Sequence, residues 1–152
     1  MRPSPLVPYT ALMINILTWD ESLRTGFEEV DLQHKKLIRI IDDVHEAMQS
    51  PSADYALQMS KNLKKLTDYT LYHFSEEETF MKQHGYPDFA AHKLAHDAFI
   101  ERLNGQIGAL PQSGPDDGYR FYRYLGNWLL SHIAKADQAW AAYIREQSPA
   151  AP

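Results

Sequence analysis

Apolar residues recur along most of this chain at intervals of three and four, the period of an α-helix rather than the alternation of a strand. Val30, Leu37, Ile38, Ile41, Val44 and Met48 mark one stripe, and Met59, Leu63, Leu66 and Phe80 a second. Phe89, Phe99, Leu103 and Ile107 make a third, followed by Tyr122, Leu125, Leu129, Ile133, Ala136 and Trp140. Between the stripes stand Pro51, the Gly85-Tyr86-Pro87 cluster and the run Gly114-Pro115-Asp116-Asp117-Gly118. Proline lacks the amide hydrogen a helix interior needs, so each group is read as a break. The pattern predicts four helices over 29–49, 52–84, 88–110 and 117–145. Long amphipathic helices joined by short loops pack as an antiparallel up-down-up-down bundle, so the expected fold class is all-α. The expected organisation is an N-terminal extension over 1–18, one bundle over 19–146 and a tail over 147–152.

Composition narrows the chemistry. The chain has 152 residues, with 15 Lys+Arg against 20 Asp+Glu for a net charge of −5, and it contains no cysteine. Disulfides, thiolate nucleophiles and Cys-ligated metals are thereby excluded, and any metal must be held by His, Asp and Glu. The acidic balance leaves no basic stripe to replace phosphate counterions, so no nucleic-acid partner is expected. The apolar segment 11–17 follows a single Arg and leads to no small-residue cleavage site, so it makes a poor signal peptide. No apolar run approaches the roughly 20 residues that cross a bilayer. A cytoplasmic protein, monomeric and without a membrane partner, is the expectation.

The histidines change the picture. Five of seven fall in the apolar stripes, namely His34, His73, His92, His96 and His132, with Glu77 and Asp137 beside them. Such groups are costly to bury alone, and a metal centre would satisfy all seven together. His73 with Glu77, and His92 with His96, are four apart and so share a helix face. His132 and Asp137 are five apart, about 140° around an ideal helix, which fits a carboxylate bridging two metals or a local widening of the helix.

Heights along the bundle agree for most of these residues. His73 and Glu77 lie two to three turns before Gly85, and His92 and His96 one to two turns after it, so antiparallel helices bring them level. His34 fits less well, with an offset near 7 Å from His73 at about 1.5 Å per residue. His45 and His84, each 11 residues beyond a proposed ligand, sit about 16 Å along the axis and are expected at helix ends or on the surface.

These residues carry a family resemblance. Asp31-Leu32-Gln33-His34, His73-Phe74-Ser75-Glu76-Glu77 with Met81, His92-Lys93-Leu94-Ala95-His96, and Trp128-Leu129-Leu130-Ser131-His132-Ile133 ending at Asp137 resemble the ordered signature of the hemerythrins, bacterial ones above all. The likeness runs from about Trp19 to Trp140, and no ligand position departs from the pattern. It implies reversible dioxygen binding at two iron ions (Fe2+/Fe3+), oxo- or hydroxo-bridged and spanned by Glu77 and Asp137. It implies His92, His96 and His132 on one iron, and His34 and His73 on the other, which keeps an open position. Leu37, Phe74, Trp128, Leu129 and Ile133 flank the ligands and are the expected oxygen pocket, although core packing alone would also place them inside. Trp19 and segment 11–17 resemble the family's N-terminal arm packed over the bundle.

Other functions compete with this one. An oxygen or redox sensor uses the same centre but reports to a partner; related bacterial domains are often fused to signalling domains, for which this chain has no room. A ferritin-like oxidase would use four glutamates and two histidines with Glu-x-x-His spacing, unlike the five histidines and two carboxylates here. An enzyme is therefore not expected, beyond a minor peroxidase-type side activity. A zinc protease is disfavoured because Lys93 stands where His-Glu-x-x-His requires Glu.

Overall fold

The computed structural model describes residues 17–147. Most of the extension 1–18, including segment 11–16 of the expected arm, and all but the first residue of the tail 147–152 lie outside the described residues. Four antiparallel rods form the bundle: α1 (Glu28–Met48), α2 (Tyr55–Gln83), α3 (Phe89–Ala109) and α4 (Pro115–His132). The fourth rod continues through a five-residue π turn (Ile133–Asp137) into α5 (Gln138–Gln147). No strand occurs among the described residues. α1 packs on α2 and α4, α2 packs on α3, and the rings of Phe99, Tyr124 and Trp128 join α3 to α4.

Two helix starts differ from the sequence expectation, each for a local reason. α2 begins at Tyr55 rather than near 52 because residues 51–54 close a turn, with the Asp54 amide donating to the Pro51 carbonyl at 2.8 Å. α4 begins at Pro115, two residues before the expected start. Proline breaks a helix from within but suits its first position, where the missing amide would have had no partner. The later start of α2 also reduces the offset of His34. His34 lies 14 residues before Met48 and His73 lies 18 after Tyr55, so 18 − 14 leaves four residues, taken up by the loop 49–54.

The other ends show how the sequence sets the rods. α2 stops where Gly85 adopts φ +64°, with the Gly85 amide on the Lys82 carbonyl and the Tyr86 amide on the Met81 carbonyl. This left-handed stop satisfies carbonyls that the helix itself leaves open. At the start of α1 no capping side chain stands at Phe27, and Asp31 reaches back instead, accepting from the Thr25 amide and hydroxyl, both at 2.8 Å. Leu17 is buried against Gly126, where an added Cβ would stand 2.9 Å from it, and Lys35 sits over the Trp19 ring.

The core falls into two parts along the rods. The larger includes Leu37, Ile41, Val44, Leu63, Leu66, Phe74, Phe99, Leu125, Leu129 and Ile133. The smaller gathers Met81, Trp140, Ala141 and Ile144, with Phe27 and Phe80 against it. Glu77 and Asp137 lie in the sequence intervals between the two parts, and His73 and His132 stand just before Phe74 and Ile133, the last residues of the larger part on their rods, so the polar residues form a layer near the junction of the two parts. Among the described residues no helix is long and apolar enough to cross a membrane.

Candidate metal centre

Each rod contributes to that layer. α1 supplies His34, α2 His73 and Glu77, α3 His92 and His96, α4 His132, and the π turn Asp137. All seven are buried, at 8% exposure or less. The π turn explains the five-residue spacing. Its bonds run i→i+5, so His132 and Asp137 stand one above the other, as residues four apart do in an α-helix.

The donor atoms separate into two groups that share a carboxylate. Glu77, His92, His96, His132 and Asp137 offer atoms within 4.8 Å of one another, and so do His34, His73 and Glu77. Glu77 Oε1 lies 2.9 Å from His92 Nε2 and 3.4 Å from His96 Nε2. Its Oε2 lies 3.2 Å from His73 Nε2 and 3.5 Å from His34 Nε2. Asp137 divides in the same way, with Oδ1 3.3 Å from both His92 and His132, and Oδ2 3.2 Å from His34. Each carboxylate therefore presents one oxygen to each group.

The residues fit a pair of cations. The Nε2 atoms of His92, His96 and His132 stand 3.1–3.2 Å apart. Nitrogen lone pairs facing each other at that distance require a positive charge between them, a proton or a metal ion. Glu77 Oε2, Asp137 Oδ2 and both ring nitrogens of His34 are buried without a hydrogen-bond partner. Orphaned buried polar atoms are rare in folded proteins, and their convergence here is what a metal site requires. Imidazole with carboxylate is a donor set for iron and its first-row neighbours, and seven candidate ligands exceed one tetrahedral zinc site.

The metal-free cluster is strongly polarised. Burial alone would lower the His34 and His92 pKa, but the Asp137 and Glu77 carboxylates outweigh it and raise both to about 9. Burial prevails at His73, which is lowered. Burial opposes ionisation of Glu77 as well, yet four surrounding histidines hold it well below the usual carboxylate range. Asp137 is lowered by His132 and His34 against burial and against the Glu77 charge.

A second ring of groups fixes the orientation of the imidazoles. His73 Nδ1–H donates to Gln33 Oε1 at 2.7 Å, and His96 Nδ1–H donates to Glu78 Oε2 at 2.9 Å. Each bond leaves the Nε2 lone pair facing the cluster. Trp140 Nε1–H donates to Asp137 Oδ1 at 3.1 Å. Phe74 lies flat on the His96 ring at 3.6 Å, and Trp128 lies flat on His132 at 4.5 Å. Of the five expected pocket residues, these two rings stand beside the three-histidine group, whereas Leu37, Leu129 and Ile133 are buried in the larger core.

Sequence reasoning did not find Gln33 and Glu78 in these roles. Both bonds cross between helices, which periodicity within one helix cannot reveal. The one available signal was adjacency, since Gln33 precedes His34 and Glu78 follows Glu77. His84 is exposed at the end of α2, as expected. His45 also stands at a helix end, in the last turn of α1, but faces inward against the Tyr122 ring, with a buried Nε2 that has no hydrogen-bond partner.

Comparison with known proteins agrees with this geometry. The family model "Hemerythrin HHE cation binding domain" matches residues 25–144. A bacteriohemerythrin of Pseudomonas aeruginosa is 35% identical over 129 residues, covering 85% of this chain and 82% of that protein. A myohemerythrin of Sipunculus nudus is 33% identical over 78% of this chain and 86% of its own length. A crystal structure of wild-type hemerythrin superposes with a TM-score of 0.71 at 30% identity, covering 84% of this chain and 96% of that one. With most of its length matched in sequence and in backbone, and with the polar layer inside the matched span, the chain belongs to the hemerythrin family.

Proposed function

We propose that this chain binds dioxygen reversibly at a non-haem di-iron centre, as an oxygen carrier, store or delivery protein. The observation that carries the reading is the inequality of two donor groups sharing Glu77 and Asp137. Three histidines serve one group and two serve the other, so the second metal has one protein ligand fewer and room for a small molecule. His92, His96 and His132 would hold one iron, His34 and His73 the other, and the two carboxylates both, with an oxo or hydroxo bridge completing the pair. Such a centre, when bound, supplies two one-electron reductants for dioxygen.

The chain's own residues supply the rest. Gln33 and Glu78 hold His73 and His96 in the tautomer that points Nε2 inward. Phe74 and Trp128 restrict the rotation of His96 and His132. Leu37, Leu129 and Ile133, buried in the larger core, would help exclude water, which would otherwise favour irreversible oxidation of the metal. All seven candidate ligands come from one chain, so a monomer suffices. A centre rich in histidine and poor in anionic ligands is a binding site rather than an oxidase.

Metal analysis with an anaerobic-to-air absorbance titration of the reduced protein tests this. Two irons per chain, and a visible charge-transfer band that appears with dioxygen and vanishes on its removal, are expected. Zinc without iron, or prompt irreversible oxidation, overturns the reading.

A further inference from the structure

One surface groove leads to the centre and carries only negative charge. It lies where the start of α1 crosses the later half of α2, has a volume of about 250 Å³, and is lined by Glu28, Glu29, Glu76 and the rings of Phe27 and Phe80. Gln33 and Glu77 also line it. The three outer carboxylates are exposed and make no ion pair among the described residues, while Glu77 is 1% exposed. No lysine or arginine lines this groove. Grooves elsewhere differ: one between α2 and α3 carries Lys82 and Lys93, another Lys36, Lys61, Lys64 and Lys65. The opening beside His132 carries Lys135 and no carboxylate.

Glu28 and Glu29 alone would be explained by the first turn of α1, where acidic groups complement the helix dipole. That explanation does not reach Glu76, which stands in the interior of α2 on the opposite wall. Nor does it explain Glu77 Oε2, a buried carboxylate oxygen without a hydrogen-bond partner on a residue that lines the same groove. We infer that this groove is the entry route for divalent cations, with Glu28, Glu29 and Glu76 gathering the ion from solution and passing it to Glu77. The inference rests on the reading of the polar layer as a metal centre. Carboxylate-lined clefts concentrate cations and raise association rates by about 10 to 10³-fold, and this advantage is lost as salt shortens the screening length. The outer carboxylates govern how fast the centre fills, whereas the seven buried groups govern how tightly.

The test uses the full metal-free chain with Co(II), whose visible ligand-field absorption reports binding without dioxygen chemistry. In stopped-flow mixing at low salt, Glu28→Gln/Glu29→Gln/Glu76→Gln is expected to take up Co(II) roughly tenfold more slowly than the native chain. At about 1 M salt, where charges are screened within about 3 Å, the two rates should converge. The final spectrum and the stoichiometry should be unchanged, which together with far-UV circular dichroism shows that the variant is folded. Glu76→Lys should be slower than the triple variant at low salt.

Uptake by the triple variant at the native rate would overturn the entry route, as would Lys135→Glu speeding uptake as much as the triple variant slows it. A native chain that never takes up two Co(II) ions at equilibrium would instead overturn the centre, and the route with it.

Discussion

Glu78 shows how much depends on a residue that touches no metal in the proposed centre. Its carboxylate accepts the His96 Nδ1–H at 2.9 Å and lies 3.5 Å from Lys93 Nζ, so it joins the buried layer to the surface. Glu78→Ala should lower affinity for metal by about 10- to 100-fold, the usual cost of losing such a partner, as measured by chelator competition. At the same scale, His34 and His92 make the metal-free fold sensitive to pH. Both are raised to about 9, so the native state holds more protons than the unfolded chain between about 6.5 and 9. Their contribution is complete below 6.5 and is lost as pH rises through 9. The lowered His73 acts only below 6.5, outside this window. The urea midpoint of the metal-free protein should therefore fall between pH 6.5 and 9.

At the scale of elements, the π turn reconciles a spacing that a straight helix cannot. The five-residue spacing of His132 and Asp137 was legible as an anomaly in the sequence, with a widened helix as one of two remedies; the structure contains the widened turn and also places the carboxylate between both groups. Deleting the exposed Ala134 should close the turn to ordinary α spacing. His132 and Asp137 would then be four apart and still share a face, while α5 moves about 1.5 Å toward α4. Two metals per chain with a lower thermal midpoint are expected, and loss of one metal would show that the wide turn itself is required.

The start of α1 offers a second test at this scale. Asp31 is buried and accepts both Thr25 bonds, so Asp31→Ala should cost about 1–3 kcal/mol, read from urea unfolding of the metal-free chain. Helix existence and the inward faces were readable from periodicity. The first residues of α2 and α4 were not, because a turn closed by a backbone bond and a proline tolerated at a first position are matters of local geometry.

Across the whole molecule, candidate ligands come from all four rods, so bound metal would act as a crosslink between them. An ion present at a thousand times its dissociation constant adds about 4 kcal/mol of stability, which for a chain of this size is roughly 8–16 °C in thermal midpoint. Stripping the metal with a chelator should remove that increment, and calorimetry of loaded and stripped protein measures it. The clustering of these seven residues was readable because each rod's share of them falls on that rod's own apolar face. The bonds of Gln33 and Glu78 between rods became visible only once the rods were assembled.

The shared carboxylates also bear on how the two positions fill. Glu77 and Asp137 each turn one oxygen toward each group, so an ion held by one group would fix the carboxylates that the other group also uses. The two occupancies would then be thermodynamically linked, and linkage is reciprocal: whatever the first ion did to the affinity of the second, the second would do to the first. Two ions held there would be coupled rather than independent.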